Sequence, residues 1–173
     1  MTWQDDKRFA DAYLPDVKAI LGVHLIGEAS EEEDKHRNTD LVVLTLRNVR
    51  IACRIRKPGF FDKYGGQFTI RADRPNGAMT ELAKIVSGWG DFFFYGHVHD
   101  DLGSLRAWGL CDLMAFRLWF NGRLVRDGGR IPGEERRNSD GSSSFRCFAF
   151  NEMSRDFLIA SHGIGIPTHE RMR

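Results

Sequence analysis

The chain has 173 residues, of which 42% are hydrophobic and 12% aromatic, so it is long enough and apolar enough to bury a core as one domain. Its 25 Lys and Arg residues are balanced by 24 Asp and Glu, and this excludes the globally basic field of many nucleic-acid-binding proteins. No stretch approaches the roughly 18 apolar residues of a membrane span, and no apolar targeting segment is recognisable at the N-terminus. We therefore expect a single-domain cytoplasmic protein with no membrane partner.

Helices are predicted at the N-terminus. Thr2 and Asp5 have the spacing of a capping box, apolar positions then recur at helical spacing, and Pro15 suits the first turn of a helix that continues to about Gly22. This pattern predicts either a helical hairpin or one kinked helix. The polar segment 27–39 has no periodic apolar positions, so it predicts a loop or a short solvated helix.

Three β-strands are predicted next. The runs DLVVLTL and VRIACRI are separated only by Arg47 and Asn48, which predicts a hairpin, and QFTIRA forms a third strand after a Gly-Gly break. The segment AMTELAKIVSG then predicts a helix, and DFFFYGHV predicts a strand that is apolar on both faces, as in the middle of a sheet. This order predicts an α/β domain with a mixed central sheet and flanking helices.

The second half of the chain extends this core. WGLCDLMAFRLWF predicts a helix, or a strand followed by a helix, and SFRCFAF and DFLIASHG predict two short strands. Between them, the segment 127–144 is rich in Gly, Ser, Arg and Asp, which predicts a mobile loop. We therefore place a core at about residues 3–98 and a C-terminal elaboration at about 104–173.

The second predicted strand carries the clearest functional pattern. Its alternation places Arg50, Arg54 and Arg56 on one face. Arginines at every second position can follow a phosphate backbone, so this face predicts nucleic-acid binding. The same pattern also fits the solvated outer face of an edge strand. The predicted nucleic-acid contacts are Arg50, Lys57, Arg71 and Lys84.

The order helix, three strands, helix, strand, with Asp40 at the head of the first strand, resembles the αβββαβ restriction-endonuclease-like core of the PD-(D/E)XK nuclease superfamily. That pattern has a Glu before the first strand, an Asp at its start, and an acid-X-Lys on the next strand. The resemblance implies Asp40 and one of Glu31, Glu32 or Glu33, with Glu33 best placed, as ligands of Mg²⁺ or Mn²⁺. It also implies that Arg54 and Arg56 stand at the positions of the second acid and the lysine.

A cation in place of the second acid leaves two hypotheses for the site. A unit positive charge about 4 Å from a divalent cation costs roughly 8 kcal/mol at an effective dielectric constant near 20. Either the two arginines replace the metal and pair with Asp40 and a Glu of the 31–33 cluster, or the acid lies elsewhere in the sequence and the arginines point away from the site. The candidates for a relocated group are Gln67 on the third strand and the pair Glu81 and Lys84, whose i, i+3 spacing also fits an ordinary surface ion pair.

Two other groups of side chains invite a metal interpretation. The segment Tyr95–Asp101 contains Gly-His-X-His, which resembles the last motif of calcineurin-like phosphoesterases, and His-X-His-X-Asp, which resembles the metallo-β-lactamase motif. The further ligands of both families are missing from the sequence, so we favour a polar strand end. The three cysteines are odd in number and lie in apolar stretches, which predicts free core thiols: Cys53, Cys111 and Cys147.

Two functions follow as hypotheses. The first is a Mg²⁺- or Mn²⁺-dependent nuclease whose catalytic set is Asp40, Glu33, Arg54, Arg56 and Gln67. The second is a non-catalytic pseudo-nuclease, of the kind found in phages, that needs no cofactor and binds nucleic acid or a protein partner through the arginine strand; a homo-oligomer also fits. Most aromatic residues are expected in the core, and an exposed Trp89 or Trp108 could stack on a base.

Overall fold

The computed structural model describes residues 3–28, 41–43, 49–73, 77–138, 141 and 143–164. The chain forms two compact units, Met1–Val49 and Arg50–Arg173. Within the described residues, no helix has the length and apolar character needed to cross a membrane.

The first unit contains two helices and a short strand pair. Helix α1 spans Trp3–Ala12 and α2 spans Leu14–Leu25, and only Tyr13 lies between them. This confirms the prediction of a helical hairpin or a kinked helix. The break is at Tyr13, directly before the helix that contains Pro15. Strand β1 (Ile26–Glu28) pairs antiparallel with β2 (Leu41–Val43). The predicted turn at positions 47 and 48 lies outside the described residues.

The second unit contains most of the regular structure. Its helices and strands confirm the strands predicted in QFTIRA and DFFFYGHV and the helix predicted in AMTELAKIVSG. They also confirm the strand followed by a helix in WGLCDLMAFRLWF and the two C-terminal strands in SFRCFAF and DFLIASHG. A short helix, α3, was not predicted. In chain order the elements are β3 (Ile51–Arg56), α3 (Phe61–Tyr64), β4 (Gln67–Asp73), α4 (Glu81–Val86), β5 (Phe92–Val98), β6 (Leu105–Asp112), α5 (Leu113–Arg126), β7 (Glu134–Arg137), β8 (Ser144–Ala149) and β9 (Leu158–His162).

The strands of this unit form two sheets. The first has the order β3-β5-β6-β9, with β3 parallel to β5 and the other pairs antiparallel, and the second has the order β4-β8-β7 and is antiparallel throughout. The predicted α/β class with mixed sheet and flanking helices is therefore confirmed. The prediction of one central sheet is wrong for β4, because this strand finds its hydrogen-bonding partner in the aromatic strand β8, nearly eighty positions later in the chain.

The core of this unit is aromatic. Phe68 of β4 is fully buried and its ring stacks on Phe148 of β8, with centroids 5.3 Å apart, and on Phe157, at 5.2 Å. It also contacts Phe93 of β5 at 6.3 Å and Phe116 of α5 at 6.0 Å. Because these rings come from both sheets and from α5, the core holds the two sheets and the helix together.

Two local predictions need correction. The segment 127–144, predicted as a loop, contains strand β7, which pairs antiparallel with β8. Arg146 of β8 also donates hydrogen bonds to the carbonyl oxygens of Ile131 and Gly133, at 2.9 and 2.8 Å. Composition alone could not indicate either contact, because both depend on a distant strand.

Of the cysteines, Cys111 and Cys147 are buried as predicted, but Cys53 is exposed.

Candidate functional site

The arginine-bearing face of β3 points toward the interior and not toward solvent. The parallel register sets Arg54 beside Tyr95 and Arg56 beside His97, and residues at paired positions share a face of the sheet. Tyr95 and His97 are both buried, at 2% and 1% exposure, and the ring of Tyr95 packs against Phe68 of the second sheet, with centroids 6.4 Å apart. The interpretation of a solvated outer face is therefore wrong for Arg54 and Arg56, whereas Arg50, which precedes β3, is exposed. Since β3 is the terminal strand of its sheet among the described strands, Arg54 and Arg56 are inward-pointing charges at a sheet edge.

Arg54 is held by polar groups from two other elements. Its guanidinium pairs with the carboxylate of Glu81 on α4 and donates a hydrogen bond of 3.3 Å to the Thr69 hydroxyl on β4. The Thr69 oxygen lies 3.4 Å from the hydroxyl of Tyr95. Glu81 also accepts a hydrogen bond of 3.1 Å from the backbone N–H of Arg71. The carboxylate of Glu81 thus connects α4 with β3, at the edge of the first sheet, and with β4, at the edge of the second sheet.

This arrangement corrects two expectations about the acidic partners. Glu81 pairs with Arg54 and not with Lys84, so the interpretation as a surface i, i+3 pair is wrong. The side chains of Arg54 and Glu81 are only 22% and 26% exposed. The predicted pairing of Arg54 with Asp40 cannot be compared with the structure, because Asp40 and Glu33 both lie outside the described residues.

The start of helix α4 places Glu81 beside Arg54. The Thr80 hydroxyl caps the helix by accepting a hydrogen bond of 3.2 Å from the N–H of Ala83. Leu82 and Ile85 point into the core, at 7% and 3% exposure. Glu81, which precedes Leu82, is thereby directed toward β3 and β4.

A cavity of about 420 Å³ opens beside these residues. Among the described residues, its wall carries four cationic side chains and one carboxylate, which come from β3 and the residue before it, from β4 and from α4. Because clefts with walls of low dielectric constant concentrate the field of their charges, the potential inside is positive. The polar residues and the aromatic residue at the wall are Arg50, Arg54, Arg71, Lys84, Glu81 and Trp89.

The backbone of Arg50 is fixed at the mouth of this cavity. Its N–H donates a hydrogen bond of 2.8 Å to the carboxylate of Asp91, and its carbonyl accepts hydrogen bonds from the N–H groups of Asp91 and Phe92, at 2.9 and 3.1 Å. The side chain of Arg50 is exposed. A guanidinium on an anchored backbone, open to solvent, can bind an anionic ligand at little cost in backbone entropy.

The structure brings together part of the predicted site and separates the rest. Arg54 and three of the four predicted nucleic-acid contacts line the cavity. Among the described residues, Lys57, Arg56 and Gln67 are not at its wall. The guanidinium carbon of Arg56 lies 4.5 Å from the centre of the Phe60 ring, as in a cation–π contact. Gln67 begins β4, and its side-chain oxygen is buried without a hydrogen-bond partner in the described part of the chain.

His97, the first histidine of the predicted metal-like motif, is an interior residue. Burial, followed by the positive charges of Arg56 and Arg106, lowers the pKa of His97 to about 4. Its ring lies edge-on to the rings of Phe61 and Tyr95, with centroids 5.3 and 5.4 Å apart. Neither ring nitrogen has a hydrogen-bond partner among the residues that the structure describes. His97 is thus a neutral core side chain.

Arg117 on α5 is a residue that the sequence did not single out. Its guanidinium donates hydrogen bonds to the carbonyl oxygens of Ile85, at 2.7 Å, and Trp89, at 3.0 Å, and it also bonds the carbonyl of Gly90. It therefore fixes the loop that carries Trp89 at the rim of the cavity. No local pattern could have indicated this role, because Arg117 lies 28 positions from Trp89 in the chain.

Within the described ranges, no three His, Cys, Asp or Glu side chains are close enough together to hold a metal ion. The metal ligands implied by the resemblance, Asp40 and Glu33, stay a prediction. Comparison of the chain with protein-family models, with curated proteins and with solved structures found no match in any of the three.

Proposed function

We propose that this protein binds the phosphate backbone of nucleic acid in the cationic cavity. The observation that carries the proposal is the convergence of Arg50, Arg54, Arg71 and Lys84 on one cavity, where the described part of the chain supplies a single carboxylate. The net charge of the chain is only +1. Guanidinium groups bind phosphate through paired hydrogen bonds, and a lysine adds a point charge. A cluster of this kind is therefore suited to phosphate groups along a strand.

Within the cluster, the cations have different expected roles. Arg54 is already paired with Glu81, so its charge is largely offset and its position is fixed. Arg50 and Lys84 are exposed, and we assign them the direct contacts with phosphate. This division predicts that neutralising an exposed cation weakens binding without unfolding the protein, because surface substitutions change stability little.

The proposal is tested by fluorescence anisotropy with labelled DNA and RNA oligonucleotides and the full chain, at about 50 and 200 mM salt. Arg50→Gln and Lys84→Gln should each weaken binding several-fold. The matched control is Arg130→Gln, which removes an exposed arginine from the turn after α5. Absence of binding at low salt, or equal losses for Arg50→Gln and Arg130→Gln, would contradict the proposal.

A second candidate function is metal-dependent cleavage of phosphodiester bonds. It is favoured by the position of Glu81, whose carboxylate lies against Arg54, the residue that stands where the PD-(D/E)XK pattern has its second acid. On this hypothesis, α4 supplies the carboxylate that β3 lacks. Carboxylate-bound Mg²⁺ or Mn²⁺ would then polarise the phosphate and activate water.

Cleavage of supercoiled DNA, single-stranded DNA and RNA with Mn²⁺ or Mg²⁺ separates the two candidates. A nuclease should lose its activity with EDTA, with Asp40→Asn and with Glu81→Gln, whereas Arg130→Gln should cut normally. Binding without cleavage under all metal conditions would favour the pseudo-nuclease.

A further inference from the structure

Trp89 is a feature of the cavity that phosphate binding alone does not use. Its side chain is 62% exposed and forms part of the cavity wall, which Met79, at 56% exposure, also lines. A large aromatic ring left in solvent beside a group of cations has no evident role in the folding of the domain. Most other aromatic residues of this unit are buried or half-buried. The exposure of Trp89 thus points to a ligand with an apolar, flat surface.

The loop that carries Trp89 is held in one conformation. Trp89 lies between Gly88 and Gly90, and the positive φ angles of these two residues, +96° and +79°, favour glycine at both positions. The N–H of Trp89 donates a hydrogen bond of 3.0 Å to the carbonyl of Lys84, and its own carbonyl accepts one of 3.0 Å from Arg117. The ring is therefore presented by a backbone that is ordered before any ligand binds, which lowers the entropic cost of binding.

We propose that the cavity binds single-stranded nucleic acid, with one unpaired base stacked on the indole of Trp89 and the adjacent phosphates bound by Arg50 and Lys84. This inference rests on the proposed function and narrows it to a class of substrate. Stacking on an aromatic side chain combined with backbone binding by cations is how proteins bind single strands without reading their sequence.

The cavity favours a single strand over a duplex for two reasons. In a duplex, each base is stacked between its neighbours, so its face is not available to a tryptophan. The volume of about 420 Å³ is also that of a pocket for a small ligand, which suits a base and its neighbouring phosphates better than a double helix. Both reasons apply to DNA and RNA alike.

The experiment compares two substitutions at one position. Trp89→Phe keeps an aromatic ring, and Trp89→Leu keeps an apolar side chain of moderate size without a ring face. Dissociation constants are measured for an unstructured single-stranded DNA, the RNA of the same sequence, the corresponding DNA duplex and a mononucleotide. Leu118→Ala, which removes another exposed apolar side chain (69% exposed) on α5, is the matched control, and melting temperatures confirm that the variants fold.

The expected result is a preference of the wild-type protein for single strands and a selective effect of Trp89→Leu. Loss of one stacked base should weaken single-strand binding by about tenfold, whereas duplex binding should change little. Trp89→Phe should keep most of the affinity, and Leu118→Ala should behave as the wild type. Single strands should also quench the tryptophan fluorescence of the wild type more than that of Trp89→Phe.

Three outcomes overturn this inference, and only the first leaves the proposed function standing. If single strands and duplexes bind equally and Trp89→Leu changes neither, the cavity binds backbone phosphate alone and Trp89 takes no part. If only the mononucleotide binds, the ligand is a free nucleotide and not a strand. If neither strands nor duplexes bind at low salt, the proposed function fails as well.

Discussion

At the scale of single residues, the ion pair between Arg54 and Glu81 is the contact on which the cavity depends. The two side chains are only 22% and 26% exposed, so removing one partner leaves the other charge partly desolvated. A hydrogen bond to a charged group contributes about 1.5 to 3 kcal/mol. We expect Glu81→Gln and Arg54→Met each to lower the free energy of unfolding by about this amount, measured by urea titration at neutral pH.

A double-variant cycle isolates the pair from other effects of the two substitutions. The double variant should be less destabilised than the sum of the single variants, because the second substitution removes a charge that the first left unpaired. Glu134→Gln is a useful control, since it breaks the exposed pair with Arg136 and should have a smaller effect. If the free energy of unfolding of both single variants is within about half a kcal/mol of the wild-type value, the ion pair does not stabilise the site.

His97 makes a prediction about pH. Its pKa falls from 6.5 to about 4 in the folded protein, so between these values the unfolded chain binds a proton that the folded chain does not. Stability should therefore decrease as the pH falls from about 6.5 toward 4, by up to about 3 kcal/mol from this residue. Denaturant titrations of the wild type and of His97→Leu at pH 7, 6 and 5 measure the effect.

The comparison of the two proteins separates His97 from the carboxylates that also titrate in this range. The stability of the wild type relative to His97→Leu should decrease toward low pH, because the variant has no group at this position to protonate. Parallel pH profiles would mean that His97 is protonated in the folded state or reaches water easily.

At the scale of elements, the sequence indicated which arginines share a face of β3 but not which way the face points. Alternation is a local property, whereas the direction depends on what packs against the sheet: Thr69 and Phe68 of β4 cover the face that carries Arg54 and Tyr95. For the same reason, β4 was predicted as a strand but placed in the wrong sheet. Strand β7 was missed because four charged residues, Glu134–Arg137, form a strand only when β8 supplies the hydrogen-bonding partner.

For the residues of the site, the sequence likewise indicated the charged side chains but not the contacts between them. Arg50, Arg54, Arg71 and Lys84 were all among the candidates, because their charge and spacing are visible in the sequence. The pairing of Arg54 with Glu81 joins residues 27 positions apart, and it was found only in the structure. Helix α3 and strand β4 lie between them in the chain, so no periodic pattern could connect the two.

Arg117 makes a prediction at this scale, because it joins α5 to the end of α4 and to the Trp89 loop. Removal of its hydrogen bonds to Ile85 and Trp89 leaves carbonyl groups without their charged donor. We expect Arg117→Met to lower the free energy of unfolding by about 1.5 to 3 kcal/mol, and to speed amide hydrogen exchange in the segment 86–91. Hydrogen exchange followed by mass spectrometry measures both effects.

A conservative variant tests whether the geometry or the charge of Arg117 matters. Arg117→Lys keeps the charge but lacks the planar group that reaches several carbonyls at once, so it should restore only part of the stability. Full restoration by lysine would show that the positive charge near the end of α4 is sufficient. Unchanged exchange in Arg117→Met would mean that the glycine-flanked loop keeps its conformation without this contact.

At the scale of the whole molecule, the balance of charges makes the cavity easier to test. The chain has a net charge of only +1, so a polyanion is not attracted by the protein as a whole. The cavity has a local excess of cations, since four cationic side chains and one carboxylate line it within the described ranges. Binding of nucleic acid should therefore depend on a few identifiable residues and not on the total charge.

This localisation predicts how binding varies with salt. Each phosphate neutralised on a single strand contributes about −0.7 to the slope of log K against log salt concentration. Because Arg54 is paired with Glu81, the two exposed cations of the cavity, Arg50 and Lys84, should give a slope of about −1.4. Anisotropy titrations with a single-stranded oligonucleotide between about 50 and 300 mM salt measure this slope.

Substitution then assigns the slope to particular side chains. Arg50→Gln and Lys84→Gln should each make the slope shallower by about 0.7, because each removes one phosphate contact. Arg130→Gln lowers the net charge of the protein by the same amount but should leave the slope unchanged. If all three variants shift the slope equally, attraction is a property of the total charge, and the cavity has no special part in it. A slope near zero would mean that the ligand is not held through its phosphates.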